Sequence, residues 1–434
     1  MKRFFVLIVT CSFICSGAVG KEKLPDLLDR LNTSQRLEEK LEIYWEIFLE
    51  TLSDDPNLYY DLMVKFNDLA INHGSSEDKA KSFWAKAWLS QRLGNLDSAF
   101  ENYLKSNYWY KQAGLVEFTG DGLKNIGNIL KEVNEFGIAY QYYFSALDIY
   151  EDLKINPKII NTYRSISTGK LKEKNYADAL KYANKALAKA INTHDDKYIN
   201  IILNLVGMIY YYKKDYTTAR NNYFNSIKNI DHLKNKTQIL GMAYNNIGET
   251  FREQGNYEKA YEYFKQSLSK KLALNNPPLV ATTLLNIGKL HLIEGKTDSA
   301  IVFLEKALTN LDPGIINENL QEVSSTLIKA YERKSNPGEK DYKRLLELNR
   351  GYISRIHHSN RQSYQKLLSL LSANDEVASQ AQYHRQKAKS LRSRSIWIIT
   401  LSLLAILGLL VLLYYREKRF KNFIKQMWQD IKDI

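Results

Sequence analysis

Cysteine is almost missing from this 434-residue chain: Cys11 and Cys15 are the two present, both within the first twenty residues. If that segment is removed as a leader, no thiol remains. Disulfides, a cysteine nucleophile and Cys-ligated metal are then excluded. Histidine is scarce as well, at His73, His194, His232, His291, His357, His358 and His384. Adjacent His357 and His358 point to different sides of a helix and do not readily share a metal. His291 takes a position where a bulky core side chain is expected. There is no H-E-x-x-H, no glycine-rich phosphate loop and no G-x-S-x-G. Gly120-Asp121-Gly122 stands alone and reads as a turn opening a helix. These absences argue against an enzyme and leave no catalytic residue, cofactor or metal to expect. Proline is rare too, with seven residues in all and none after Pro337.

What is present is a period. Ala99, Ala139, Ala179, Ala219, Ala260 and Ala300 recur at steps of 40, 40, 40, 41 and 40 residues. Each follows, by twelve residues, a small side chain at Ala87, Gly127, Ser167, Gly207, Gly248 or Gly288. Four residues after each alanine stands Tyr103, Tyr143, Ala183, Tyr223, Phe264 or Leu304. A repeat of this length, rich in helix formers, implies an all-α solenoid of stacked helix hairpins. Within the clearest unit, Met242 to Leu274, the spacing of Tyr244, Ile247, Gly248 and Phe251 marks one buried helix face. Tyr257, Ala260, Tyr261, Phe264 and Leu268 mark a second. Gly255-Asn256 supplies the stop between them. Gly248 and Ala260 are small where two antiparallel helices cross closely.

The pattern Gly248, Phe251, Ala260, Phe264, Ser267, met again by Gly207, Tyr210, Ala219, Tyr223, Ser226, resembles the tetratricopeptide repeat family. The resemblance covers six units over residues 77–316 and implies antiparallel helix hairpins in a right-handed superhelix. The period exceeds the usual 34 residues, so longer helices or longer turns are expected. The proline that often closes such a repeat is met loosely, by Pro277, Pro278 and Pro313. The Ser167 unit departs most, with Lys170 where an aromatic is expected.

In this family the first helix of each unit lines a concave groove for an extended peptide or a partner helix. Carried across by register, the groove presents Trp84, Trp88, Lys124, Asn128, Arg164, Thr168, Asn204, Met208, Tyr211, Asn245, Glu249, Arg252 and Lys289. Asparagine amides can pair with a peptide backbone, and aromatics give contact area at low entropy cost. Lys124 and Asn128 match half of the carboxylate clamp that some family members use for a chain terminus. The asparagine required next is Ser165, and the basic pair beyond is Ile201 and Leu205, so that clamp is not expected.

Thirty tyrosines fall mostly in repeat slots that need bulk with a polar tip. The net charge is +13, but the lysines are interleaved with Asp and Glu. They read as solvated helix faces, with nucleic-acid binding as the minority reading.

The ends carry separate signals. Lys2 and Arg3, the apolar run Phe4–Ile14 and Gly17-Ala18-Val19-Gly20 read as a signal peptide over 1–20. The rival is a lipoprotein anchored at Cys15, for which bulky Ile14 is a poor neighbour. Residues 21–76 hold two amphipathic helices, Leu37 to Leu52 and Leu58 to Ile71, expected to cap the solenoid. Residues 317–395 comprise one more repeat-type helix, Leu320 to Tyr331, a break at Asn336-Pro337-Gly338, and a long helix from Asp341 to Arg394. That helix would run on the order of 80 Å. An interrupted 3.5-residue seam from Leu345 to Leu391 suggests a coiled-coil homodimer.

Ile396–Tyr415 is a twenty-residue run without charge, enough to cross a bilayer, with Trp397, Tyr414 and Tyr415 at its interfaces. Basic residues flank it equally. The N-terminal segment therefore decides the orientation: repeats outside the cytoplasm, in a bacterium periplasmic, and 416–434 inside. That basic tail is amphipathic through Phe420, Phe423, Ile424, Met427, Trp428, Ile431 and Ile434. It can lie among lipid headgroups, continue as a helix pair, or simply end the span. This layout resembles bacterial single-pass transducers with periplasmic repeats, less their output module. The expected role is protein or peptide binding in sensing or transcriptional regulation on an inner membrane. The alternative is a passive envelope scaffold.

Overall fold

The computed structural model describes residues 23–52, 56–311 and 318–335 and a few positions from 338 to 348. Among them all regular structure is helical. The signal segment, the Asp341 to Arg394 helix beyond residue 348, Ile396–Tyr415 and the tail lie outside the described residues. Among the described residues no helix is long and apolar enough to cross a membrane.

Three helices precede the repeats: α1 (Lys23–Thr33), α2 (Leu37–Glu50) and α3 (Pro56–His73). The first lies outside the two expected cap helices, and its Leu24, Leu27, Leu28 and Leu31 form one apolar face. Six hairpins follow: α4 (Ser76–Arg92) with α5 (Leu96–Gln112), α6 (Val116–Glu132) with α7 (Phe136–Asp152), and α8 (Asn156–Lys172) with α9 (Tyr176–Asn192). Then come α10 (Asp196–Tyr212) with α11 (Tyr216–Ser226), α12 (Lys236–Glu253) with α13 (Tyr257–Leu272), and α14 (Pro277–Ile293) with α15 (Thr297–Thr309). A last helix, α16 (Glu318–Glu332), packs on α15 and α14.

The long period comes from the helices. From α4 to α10 each helix has 17 residues, and three residues separate it from the next. The middle residue of each turn is left-handed: Gly94, Gly114, Asn134, Lys154, Lys174, His194 and Lys214, one every twenty residues. It lets the last turn close on itself. At the first of these turns Asn95 N–H donates to Ser90 O (2.8 Å) and Gly94 N–H to Gln91 O (3.0 Å), a Schellman pair. Asn95 also opens α5. One residue thus ends a helix and starts the next, so turns within and between repeats are equivalent. His194 is therefore a turn residue. The extra residue in the 41-residue step falls between Ala219 and Gly248, where α11 ends early and residues 227–235 form irregular turns.

All six period alanines are fully buried. The glycines opposite them are small for a more specific reason than helix approach alone. A Cβ on Gly127, Gly207 or Gly248 would stand 2.8, 2.5 or 2.7 Å from the ring of Tyr143, Tyr223 or Phe264. Each glycine is the floor on which its own repeat's aromatic lies. In the Ser167 unit the ring is replaced by Ala183, and the freed space takes the Ser167 hydroxyl, which donates to Ala179 O at 2.8 Å. Lys170 fills its aromatic slot as a cation, with Nζ 4.0 Å from the Tyr140 ring centroid and 2.8 Å from Glu173. Gly120 and Gly122 lie inside α6, not in a turn: a Cβ on Gly120 would meet the Tyr150 ring at 2.8 Å. Pro157, Pro277 and Pro278 stand in first helical turns, where a missing N–H leaves no bond unmade. Pro277 and Pro278 therefore open α14 rather than close a repeat.

Candidate binding face

First helices of neighbouring repeats pack on one another, α6 on α8, α8 on α10, α10 on α12 and α12 on α14, and no comparable packing joins successive second helices. The stack therefore curves with its first helices inside. The residues expected to line a groove all lie on these helices, but in three different settings.

Trp84 and Trp88 are occupied by the cap. The Phe48 ring of α2 meets both edge-on, with centroids 5.5 Å away in each case, and Trp45 meets Trp84 at 5.9 Å. Arg92 covers the Trp88 face at 4.9 Å. Their area is spent sealing the first repeat.

Asn204, Tyr211, Asn245, Glu249, Arg252 and Lys289 fall in the second setting, on α10, α12 and α14. Four of them join residues that register alone did not single out, Asn246, Thr283 and Asn286. Asn246 Nδ2 donates to Asn204 Oδ1 at 3.0 Å, bridging α12 to α10. Asn286 Nδ2 donates to Asn245 Oδ1 (3.1 Å) and Glu249 Oε1 (2.6 Å), bridging α14 to α12. Arg252 Nη1 donates to Asn286 Oδ1 (3.3 Å), and its Nη2 lies 2.9 Å from Glu253. Thr283 continues the network to Lys271, whose Nζ lies 2.9 Å from its hydroxyl. Lys271 is 3% exposed; burial pushes its pKa down to about 8, with the charge of Glu249 opposing. Tyr211 packs edge-on against Tyr212 and Tyr216, and burial raises its phenol pKa. Lys289 pairs with Glu322 of α16.

The third setting holds Lys124, Asn128 and Arg164 on α6 and α8. Tyr143 donates its hydroxyl to Asn128 Oδ1 at 2.8 Å. Arg164 directs Nε and Nη2 to one neutral oxygen, Asn161 Oδ1, at 3.0 and 2.7 Å. Lys131 joins them, with Nζ 3.4 Å from Thr168 Oγ1. Its pKa is pushed down to about 8 by burial, then by Arg164, with Lys172 and Lys124 adding and Glu132 opposing. Lys131 was legible as the seventh residue after Lys124, on the same helix stripe, but the register of the groove slots stopped one turn short of it.

His291 takes the slot of a core aromatic, stacked on Phe303 with centroids 5.3 Å apart. Among the described residues no three His, Cys, Asp or Glu side chains gather as a metal would require.

These helices bear a family signature. Residues 239–312 match the tetratricopeptide repeat model. The matched span runs from α12 through α15 and includes Asn245, Asn246 and Asn286 but not Asn204. No curated protein matches the chain by sequence. Among solved structures it is similar to a Rap protein complexed with Competence and Sporulation Factor, at 14% identity and a TM-score of 0.54, over 77% of this chain and 99% of that one. It is similar also to aspartyl phosphate phosphatase F from Bacillus subtilis, at 14% identity and 0.52, over 81% and 96%. The apo quorum sensor NprR from B. thuringiensis aligns at 17% identity and 0.50, over 78% and 97%. At these identities the likeness is one of fold. It extends well beyond the span that the repeat model matches.

Proposed function

We propose that this protein is a binding module whose first-helix face takes a protein or peptide in extended form. The observation that carries this reading is the row of amides, Asn204, Asn246, Asn245 and Asn286, running across three consecutive repeats. Asn246 is partly exposed and the other three are buried. A peptide would therefore reach the row at Asn246, where an amide can exchange its partner for a peptide backbone with donor and acceptor counts conserved. The Rap structure of the same fold is itself a complex with a factor, which supports a binding role for this architecture. We assign the protein no catalytic step.

The binding module is held on a bilayer by Ile396–Tyr415, with the repeats outside the cytoplasm and 416–434 within it. Its role is sensory or regulatory. The supporting feature is the uncharged run of twenty residues and the leader-like segment before the cap. In this reading the helix expected from Asp341 to Arg394 would join the repeats to the span and pair with a second copy through its apolar seam.

The test uses the full chain in detergent micelles and dodecapeptides selected from a random display library. Asn246→Asp and Asn286→Asp are expected to weaken selected peptides tenfold or more, while Asn225→Asp on α11 leaves them unchanged. Equal affinity across all three variants would overturn the reading.

A further inference from the structure

The inner face is not uniform in charge. On α10 to α14 the Arg252 guanidinium is balanced by Glu253 at 2.9 Å. On α6 and α8 Lys158 is likewise balanced, by Glu117 at 2.7 Å and Asp121 at 2.6 Å, but two other cations are not. Among the described residues neither Lys131 nor Arg164 has a carboxylate within ion-pair distance. Lys131 has a threonine hydroxyl, and Arg164 has an asparagine oxygen standing where a carboxylate would ordinarily sit. Arg164 itself, then Lys172 and Lys124, add positive field at Lys131, and Glu132 offsets part of it.

Both side chains are partly rather than fully buried, so each has lost much of its water yet can still be reached. Holding unpaired cations in such a place carries a desolvation cost that folding alone does not recover. An anionic group arriving between them would regain it. The guanidinium fork, engaged on one edge by Asn161, keeps Nη1 for a second planar acceptor.

The geometry points to a carboxylate-binding subsite between Lys131 of α6 and Arg164 of α8, which selects peptides carrying a carboxylate at the α6–α8 end of the first-helix face. Asn128, tied to the Tyr143 hydroxyl, and Thr168 supply neutral polar groups around it. This subsite uses positions other than those of the terminus clamp, whose later members are Ile201 and Leu205 here. It rests on the reading that the first-helix face binds peptide. The carboxylate is an acidic side chain or a free chain terminus, and the two are separable.

Three probes decide it on the full chain in micelles at low salt: N-acetylated, C-amidated hexaglutamate; the matching hexaglutamine amide; and hexaglutamine with a free C-terminus. Hexaglutamate or the free-terminus peptide is expected to bind at least tenfold more tightly than the neutral amide, and whichever does so names the source. Lys131→Met and Arg164→Met should each abolish that preference. Each should also raise the melting temperature, since each removes an unpaired charge, so misfolding is not the expected confounder. Lys111→Gln, an exposed charge on α5, should change neither. Neutral and acidic probes binding alike, or a preference that survives Lys131→Met and Arg164→Met, would overturn the subsite and leave the peptide-binding face standing. Failure of all three probes to bind the wild-type chain would count against both.

Discussion

The guanidinium of Arg344 lies in fork register with the carboxylate of Glu305, Nε 2.9 Å from Oε1 and Nη2 2.8 Å from Oε2. Tyr331 donates its hydroxyl to the same Oε1 at 3.0 Å. Three chain segments therefore meet on one carboxylate: α15, α16 and the residues after the Asn336-Pro337-Gly338 break. Leu348 is buried in the same cluster as Leu304, Leu311 and Leu327, so the contact is apolar as well as ionic. The start of the expected long helix is seated on the last hairpin.

Glu305→Gln should loosen that seat. The pair is partly exposed, so its loss is worth about 1 kcal/mol or less. The expected result is faster amide exchange across residues 338–348 with little change in α10 to α13. Unchanged exchange at 338–348 would mean that Leu348 alone holds the segment. Replacing Ile396–Tyr415 and the tail by an unrelated anchor separates a transducer, which should lose function, from a passive scaffold, which should keep it.

Gly248→Ala should destabilise the protein by about 1–3 kcal/mol, because the added methyl meets the Phe264 ring and the Ala260 carbonyl. Phe264→Leu in the same chain should recover part of that loss, since Leu304 already serves over Gly288. Urea unfolding of the two single variants and the double variant reads the coupling. Strictly additive losses would show that the ring and the glycine are not partners.

The turn positions behave differently from the floors. Gly114 has φ +70 with open space around it, so Gly114→Ala should cost about 1 kcal/mol from backbone strain alone. Lys154 and Lys174 hold the equivalent left-handed position, and Lys154→Gly or Lys174→Gly should leave stability unchanged or slightly raised. Thermal unfolding distinguishes them; a loss at Lys174→Gly as large as at Gly114→Ala would contradict the assignment.

Stability should rise between pH 7 and 9. Lys271 and Lys131 hold pKa values near 8 in the folded chain, against about 10.4 unfolded. Below pH 8 both states are charged and the full burial penalty stands. Above it the unfolded chain keeps the proton that the folded chain has released, so each lysine should add on the order of 1 kcal/mol. Past pH 10 the sign turns. Burial raises the phenols of Tyr103, Tyr143 and Tyr223, so ionised tyrosines favour the unfolded chain. Lys271→Met should flatten the rise, read from urea midpoints at pH 7 and pH 9.

Much of the architecture was legible because it is written in residue size. An alanine at a fully buried crossing and a glycine beneath a ring recur at one spacing, and no local context hides them. The turns were less legible, since Lys154, Lys174 and His194 do the work of Gly94 and Gly114. A side chain that tolerates a left-handed backbone leaves no mark in composition. The face was legible by register but not by partner. Register placed Asn204 and Asn245 on the inside, yet it could not say that Asn246 and Asn286 would bind them. Nor could it say that α2 would cover Trp84, because contacts across forty residues depend on how the helices stack. Helix α1 was legible in principle, through the i, i+3, i+4, i+7 spacing of Leu24, Leu27, Leu28 and Leu31, and it packs on α2.

The binding role depends most on which side of the stack receives a ligand. A photo-crosslinking benzophenone placed at position 208, on the inner helix α10, should capture a display-selected dodecapeptide in the full-length chain, and the same group at exposed position 144 of α7 should not. Capture at position 144 with none at position 208 would contradict the assignment of the first-helix face as the binding surface.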